Sequence, residues 1–239
     1  MRRVISLLLI TLGSAGLAWA AQDNERHAVY VGVRACTQCH QGSGMGHQCS
    51  KWLKSKHARA YAVLADPAAK KMAELSGIPQ EPQESSFCLG CHATGAHVEA
   101  WEREDGFQIE DGVQCEKCHG PGSEYMDAET MTDPEKARAA GLIMPELSDC
   151  MVCHQVKGSH VAIHSLPKLD TKKGRRLIAH PSPHNWRYSE QPEAPEVGLD
   201  VDAPKYIGSY ACGKCHKGPD MGYQFSKWRM SAHARAFAV

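Results

Sequence analysis

The chain has 239 residues with 27 basic and 27 acidic side chains, so its formal net charge is zero and no general affinity for nucleic acid is expected. Eleven cysteines and fourteen histidines are far more than an ordinary intracellular enzyme of this length carries, and they indicate metal or cofactor chemistry. With four Phe, seven Tyr and five Trp, the chain can bury only a thin apolar core by itself.

Residues 1–20 have the layout of a cleaved secretory signal. Arg2 and Arg3 precede an apolar run over residues 4–12, and the segment ends in Ala-Trp-Ala. The run is too short to cross about 30 Å of hydrocarbon. We therefore predict that the mature chain begins at Ala21, lacks a membrane span and is periplasmic or extracellular.

Ten of the eleven cysteines fall in five copies of one motif, Cys-x-x-Cys-His, which we number one to five along the chain. The cysteines are Cys36, Cys39, Cys88, Cys91, Cys115, Cys118, Cys150, Cys153, Cys212 and Cys215, and the histidines are His40, His92, His119, His154 and His216. In this motif the thiols bind haem covalently and the histidine is the proximal iron ligand. Zinc sites and redox disulfides also use Cys-x-x-Cys, but neither explains the histidine. The sequence therefore predicts five covalently bound haem c groups with their iron.

Two helices are predicted by the residues at their ends. An acid and a proline begin each of them, over 66–75 and 133–140, and Gly77 and Gly141 follow their ends. No stretch alternates apolar and polar residues with a period of two, so strands should be few. The expected fold is mainly α with long irregular loops, and its small protein core packs around the covalently bound haems.

Residues 30–63, the first copy, recur as residues 206–239, the second copy, with 20 of 34 positions identical. In the first copy the apolar spacing predicts one helix over 53–64 with His57 on its apolar face. The residues that define this face are Leu53, Ala60, Tyr61 and Leu64. Because the chain should hold five irons, we predict that His57 and its counterpart His233 are distal iron ligands.

Residues 30 to about 185 resemble the cytochrome c-554 family of multihaem cytochromes. The resemblance rests on "CTQCH" followed by "SKWLKSKHARA", then "CLGCHATG", "GVQCEKCHGPGSEY" and "CMVCH", in the family's order. It implies a mainly helical tetrahaem module with closely stacked haem pairs that acts as a periplasmic electron carrier. Related modules take electrons from a hydroxylamine-oxidising enzyme, serve other respiratory chains or polymerise into extracellular conductive filaments.

The resemblance also implies which histidines bind iron opposite the motifs. His57 should serve the third haem, and the second haem, at His92, should have one open site. The distal ligand of the fourth haem should lie downstream of His154. Its candidates are His180 and His184, with His160 and His164 as alternatives.

The chain departs from the family at the first haem. The family commonly places a histidine after the Gly-Pro-Gly of the third motif to bind this haem, whereas here no histidine lies between His119 and His154. The distal ligand of the first haem is therefore open between His47, His97, Met126 and no ligand.

The predicted organisation has four parts. A signal peptide at 1–20 precedes a tetrahaem module at 21–185, and a Pro-rich linker at 186–205 leads to residues 206–239. Because three further motifs follow the first copy, we expect the second copy to begin another haem module in a longer protein.

Nine histidines lie outside the five motifs, enough for distal ligands at most haems. Two histidine ligands give low-potential haems suited to electron transfer. We therefore predict an exported electron carrier between a redox protein donor and a redox protein acceptor, not an enzyme. The alternatives are reduction of a small nitrogen oxide at an open haem, and a subunit of an oligomer or extracellular cytochrome filament.

Overall fold

The computed structural model of the chain describes residues 27–165, 169–180 and 207–238. The predicted signal peptide, the predicted linker and His184 lie outside these residues. The α-helices are α1 Val33–Thr37, α2 Gln48–Lys54, α3 Pro67–Leu75, α4 Ser86–His92, α5 Glu116–His119, α6 Ala128–Met131, α7 Pro134–Ala139, α8 Leu147–Cys153, α9 Gly158–His164, α10 Thr171–Ile178, α11 Ser209–Gly213 and α12 Gln224–Met230. Short 3₁₀ helices lie at His57–Arg59, Ala62–Ala65, Ala100–Glu102, Ile109–Asp111 and His233–Ala238.

The mainly helical fold predicted from the sequence is confirmed. In the described ranges the β-structure is limited to an isolated parallel bridge between Tyr30 and Arg103. None of the helices in these ranges is both long enough and apolar enough to cross a membrane. The short helices are joined by irregular loops, so positions in the fold are fixed mainly by hydrogen bonds between distant segments.

Both helices predicted from their end residues are confirmed. α3 begins with Asp66, whose carboxylate accepts a hydrogen bond from the backbone N–H of Ala68 at 2.8 Å. α7 begins with Asp133, whose carboxylate accepts from the N–H groups of Glu135 at 3.0 Å and Lys136 at 3.2 Å. These capping bonds satisfy donors that have no partner inside the helix, as the sequence pattern predicted.

The continuous helix predicted over 53–64 is wrong. α2 ends at Lys54, and Ser55 has an extended backbone with φ −72° and ψ 163°. The Ser55 hydroxyl donates to the carbonyl of Trp52 at 2.7 Å and accepts from the N–H of His57 at 3.2 Å. A serine side chain that bonds nearby backbone groups competes with helical hydrogen bonds, so the helix stops and His57 begins a 3₁₀ turn.

Among the described residues, the apolar side chains that are fully buried are small ones, Ala93 and Ala137. One buried cluster consists of Leu64, Leu89 and Ala93. The largest fully buried side chains are instead polar: Gln114, Thr94, Asp111 and Ser85. Hydrogen bonds of buried polar groups therefore carry much of the specificity of this fold.

The two sequence copies have the same local structure. α1 and α11 cover equivalent residues, and so do α2 and α12. His47 and Tyr223, which precede α2 and α12, both have φ 55° and ψ 36°. After these helices Ser55 and Ser231 share an extended conformation with ψ 163°.

The copies also pack against each other reciprocally. α12 contacts the 3₁₀ helix Ala62–Ala65 of the first copy, and α2 contacts the 3₁₀ helix His233–Ala238 of the second. Equivalent residues meet directly, because the Arg34 guanidinium carbon lies 3.3 Å from the ring centroid of its counterpart Tyr210. Contacts in which each unit offers the same surface to the other are those of an approximate two-fold arrangement.

Gly112 holds the turn that carries His57. The N–H of Val113, next to Gly112, donates to the His57 carbonyl at 3.0 Å, and the Gly112 carbonyl accepts from Thr94 at 2.9 Å. Gly112 has φ +73°, and a Cβ added there would lie 2.7 Å from the carbonyl oxygen of His57. Glycine is therefore required both by the backbone conformation and by the close approach of this turn.

We predict that Gly112→Ala lowers the free energy of unfolding by at least about 3 kcal/mol, from backbone strain and the clash with His57 together. Gly208→Ala is the control, because Gly208 has φ +77° but nothing lies within 4 Å of an added Cβ. It should cost only about 1 to 2 kcal/mol, the strain alone. Denaturant unfolding of the two variants checks this, and equal losses would contradict the proposed close contact.

Candidate haem-binding sites

Each of the five motifs has the backbone of one helical turn. The histidine N–H donates to the carbonyl of the first motif cysteine in the first, third, fourth and fifth motifs, at 2.9 to 3.0 Å. In a helical turn residues three apart lie on one face, so both cysteines of a motif present their Sγ atoms to the same side. None of the eleven cysteines, all of which lie in described ranges, forms a disulfide bond.

Hydrogen bonds at Nδ1 orient four of the motif histidines. Nδ1 of His92 donates to the Ala60 carbonyl at 2.8 Å, and Nδ1 of His119 donates to the Ile143 carbonyl at 2.9 Å. His216 donates to the side-chain oxygen of Gln224 at 2.5 Å, and His40 makes the equivalent bond to Gln48. Because Nδ1 holds the proton, Nε2 keeps its lone pair for a metal.

A second histidine ring faces three of the motif histidines. The ring centroids lie 5.9 Å apart for His57 and His154, 6.3 Å for His92 and His160, and 5.9 Å for His119 and His180. Two imidazoles that bind one metal from opposite sides, with metal–nitrogen distances of about 2.0 Å, have centroids about 6 Å apart. The three spacings therefore fit an iron between each pair.

The environments of His57, His92 and His160 favour the neutral form of imidazole that binds iron. Burial lowers the pKa of His57, and the neighbouring His154 lowers it further. Burial likewise lowers the pKa of His92 and of His160. Nδ1 of His160 is buried and has no hydrogen-bond partner. Neutral imidazole is the ligating state, so the electrostatics agree with the spacings.

The pairs differ from those that the family resemblance implied. His57 lies opposite His154 of the fourth motif, not opposite the third motif. His180 lies opposite His119 of the third motif, not the fourth. The second motif, which the resemblance left with an open site, has His160 opposite His92. The paths of the loops that follow the motifs determine which histidine lies opposite which motif histidine. These paths could not be predicted from the sequence.

The remaining candidates lie elsewhere. His233 begins the last 3₁₀ helix and is exposed, and it has no motif histidine against it in the described residues. His97 packs on the second motif, since a Cβ added at Gly90 would lie 2.4 Å from His97 Nε2. His47 is exposed before α2, and Met126 is also exposed.

Cysteine contacts bring the first four motifs together. The thiols of Cys36 and Cys115 are in hydrogen-bond contact, which together with burial raises the pKa of Cys115 well above its usual value. Burial and a contact with Cys91 raise the pKa of Cys153 to about 11. The first motif is therefore beside the third, and the second is beside the fourth.

Cys118 connects the two halves of this group. Burial raises the pKa of the Cys118 thiol, and the neighbouring Cys150 of the fourth motif raises it further. The third motif is thus also close to the fourth. The first four motifs form a continuous series in the spatial order one, three, four, two.

Glu116, inside the third motif, ties this motif to the segment that enters the first. Its carboxylate accepts hydrogen bonds from the N–H groups of Val31, Gly32 and Gly122, each at 2.8 Å. Gln114 adds another bond, since its side-chain oxygen accepts from the N–H of Val33 at 2.7 Å. These bonds fix α1 against α5. Sequence reasoning missed both residues, although the position of an acid inside the third motif was visible in the sequence.

Apolar side chains are exposed next to motif cysteines. Phe87, which precedes Cys88, is 79% exposed, and Val152, between Cys150 and Cys153, is 66% exposed. A porphyrin attached at these cysteines would cover such side chains and remove their apolar surface from water. Paired thiols, oriented imidazoles and this apolar surface together fit a covalently bound haem. The fold and these sites define a c-type cytochrome, with haem c and its iron as the cofactor.

Comparison with known proteins finds one family that is similar to part of the chain. Residues 35–120 match the family model described as cytochrome c554 and c-prime. The chain is 30% identical over 131 residues to cytochrome c-554 of Nitrosomonas europaea, an alignment that covers 51% of this chain and 48% of the relative. It thus spans about half the length of that curated relative. No solved structure matches the chain. Residues 35–120 are therefore similar to the cytochrome c-554 family.

We predict that Glu116→Ala lowers the free energy of unfolding by about 3 kcal/mol or more, because it leaves three backbone N–H groups without an acceptor. Glu135→Ala removes an exposed carboxylate in the first turn of α7 and should cost less than about 1 kcal/mol. Chemical denaturation of the haem-loaded variants checks this. Similar stability of both variants would show that the Glu116 carboxylate does not hold the two motifs together.

Proposed function

We propose that the chain is an exported multihaem cytochrome, with five haem c groups, that transfers electrons between a redox protein donor and a redox protein acceptor. The three histidine pairs with ring centroids 5.9 to 6.3 Å apart carry the proposal. In each pair we assign the motif histidine as the proximal ligand and His57, His160 or His180 as the distal ligand. Two imidazoles leave no open position on the iron, which favours electron transfer over substrate binding.

Bound haem would supply a one-electron couple between ferric and ferrous iron. The chain contributes the axial ligands, their orientation and the separation of neighbouring sites. The Nδ1 bonds of His92 and His119 hold the imidazoles in one tautomer, so the ligands need not reorient when the charge of the iron changes. Fixed ligands are favourable for electron transfer because little rearrangement accompanies each step.

The cysteine contacts support a route through the first four haems. Cys36 contacts Cys115, Cys118 is near Cys150, and Cys153 contacts Cys91. Electrons would therefore pass among the first, third, fourth and second haems in that spatial order. The proposed location is the periplasm or the cell exterior, because haem c attachment and the predicted signal peptide agree with export.

We predict that the 239-residue chain, when it is expressed with export and haem attachment, has the intact mass of residues 21–239 plus five haem groups. Replacing both Cys212 and Cys215 by Ser should lower the haem count by one, because the fifth motif then lacks both attachment thiols. Cys49→Ser is the matched control, since Cys49 lies outside the motifs and should leave the count unchanged. A count that does not respond to the double replacement would contradict haem attachment at the fifth motif.

We predict that His57→Gly converts one haem, about a fifth of the total, from low-spin to high-spin, because one iron loses its distal ligand. Added imidazole should restore the low-spin signal by occupying the space of the missing ring. His47→Gly is the control, since His47 is exposed and accepts glycine at its positive φ. Electron paramagnetic resonance of the oxidised proteins measures both states. A low-spin spectrum unchanged in His57→Gly would reject His57 as a ligand.

A further inference from the structure

Arg229, on α12 of the second copy, is a buried cation with partners in three separate segments. It is 6% exposed. Its Nη1 donates to the Tyr210 hydroxyl at 2.8 Å and lies 3.2 Å from Oδ1 of Asp111. Its Nη2 donates to the carbonyl oxygen of Ala58 at 2.8 Å. A planar guanidinium can hold several acceptors in fixed directions at once, which an ammonium group cannot do as well.

Each partner of Arg229 adjoins a haem-binding element. Tyr210 lies two residues before Cys212 of the fifth motif, and Ala58 directly follows His57. Asp111 ends the 3₁₀ helix that leads into the third motif. One side chain therefore connects the fifth motif, the turn of a proposed distal ligand and the third motif.

The sequence repeat explains why this contact is specific to the second copy. The position of Arg229 is occupied by Leu53 in the first copy, and the position of Tyr210 is occupied by Arg34. Arg34 and Tyr210 stack on each other between the copies. The copies thus differ at positions where Arg34, Tyr210 and Arg229 join them, whereas the motif cysteines, the motif histidine and the His-Ala-Arg sequence are identical. The residues that differ therefore serve the packing of the two copies against each other and not haem attachment.

The docked second copy supplies the partners of Asp111, which is buried in this arrangement. Its side chain also accepts a hydrogen bond from the Tyr210 hydroxyl. Burial raises the pKa of Asp111, and the charge of Arg229 opposes that effect. A buried carboxylate without a partner is strongly unfavourable. Outside this cluster, Lys217 beside the fifth motif pairs with Glu110 at 2.7 Å. The second copy is therefore an integral part of the fold.

We propose that Arg229 is a positioning residue for electron transfer between the fifth haem and the haems of the first module. The inference rests on the proposed function. Arg229 holds the fifth motif at one distance from the third motif and from His57, the proposed distal ligand at the fourth motif. With haem bound, a single electron would pass between these sites: the donor iron would be oxidised and the acceptor iron reduced, with no change in bonds or protons. Arg229 touches no haem motif histidine itself and acts through Tyr210, Asp111 and Ala58.

The test compares variants of the whole haem-loaded chain after rapid photoreduction. Arg229→Leu introduces the residue that the first copy has at this position. About a fifth of the absorbance change, the share of one haem among five, should move into a phase at least about tenfold slower, because rates that depend on geometry fall steeply with displacements of about 1 Å. Arg229→Lys should restore part of the rate. Lys227→Leu is the control, since it removes an exposed charge from the same helix.

Hydrogen exchange of the α12 amides gives a readout that does not depend on electron transfer. Exchange should accelerate in Arg229→Leu and stay at the wild-type rate in Lys227→Leu. Tyr210→Phe, which removes one hydroxyl and keeps the ring stacked on Arg34, should give a smaller change of both rates. If the Arg229→Leu protein cannot be produced in a folded form, Arg229→Lys and Tyr210→Phe provide the same comparison.

The possible outcomes separate the two proposals. Unchanged transfer and unchanged exchange in Arg229→Leu, with fast transfer in the wild type, would overturn the role of Arg229 and leave the proposed function intact. Faster exchange with unchanged transfer would also overturn it, because Arg229 would then be structural only. Absence of any transfer between haems in the wild type would contradict the proposed function, and the positioning role with it.

Discussion

The carboxylate of Glu116 is the contact on which the arrangement of the first and third motifs depends. A chain that must leave space for large flat cofactors cannot join its segments through a continuous apolar core. Here an acid inside one motif instead binds three N–H groups, two of which belong to the segment that enters another motif. Because α1 and α5 are fixed in this way, Cys36 and Cys115 lie side by side. The same principle recurs at Asp111 and Arg229, where a buried ion pair joins the second copy to the first module.

Local features of the fold could be predicted from the sequence because their causes are local. The Asp-Pro pairs predicted α3 and α7, because capping depends only on residues within one turn. The Cys-x-x-Cys-His spacing likewise located all five motifs. The helix expected over 53–64 was wrong because its apolar periodicity was read without the competing hydrogen bonds of Ser55. Periodicity shows which side of a segment is buried, but a single side chain that bonds the backbone can still end the helix.

The pairing of histidines could not be predicted because it depends on contacts between distant segments. His57 and His154 are almost a hundred residues apart in the sequence, and His92 and His160 are on α4 and α9. The family resemblance supplied candidates but not their partners, since the same order of motifs is compatible with different loop courses. His57 was predicted to be a ligand from the apolar spacing of its segment and its repetition at His233, and this role stays a prediction. Yet the repeated histidine is exposed in the second copy, so identity of sequence did not imply an identical environment.

Haem attachment and electron transfer between haems place different structural requirements on the two copies. Attachment needs only a local turn, and both copies keep the two motif cysteines, the motif histidine and the glutamine that bonds its Nδ1, Gln48 or Gln224. Electron exchange also needs a fixed separation between sites, which no local turn can provide. The copies meet where they differ: Arg34 stacks on Tyr210, and Arg229, whose counterpart in the first copy is Leu53, bonds across to Ala58. A duplicated haem unit that kept both sequences identical would retain its cofactors, but nothing in it would balance the buried charge of Asp111 or fix the distance to its neighbour.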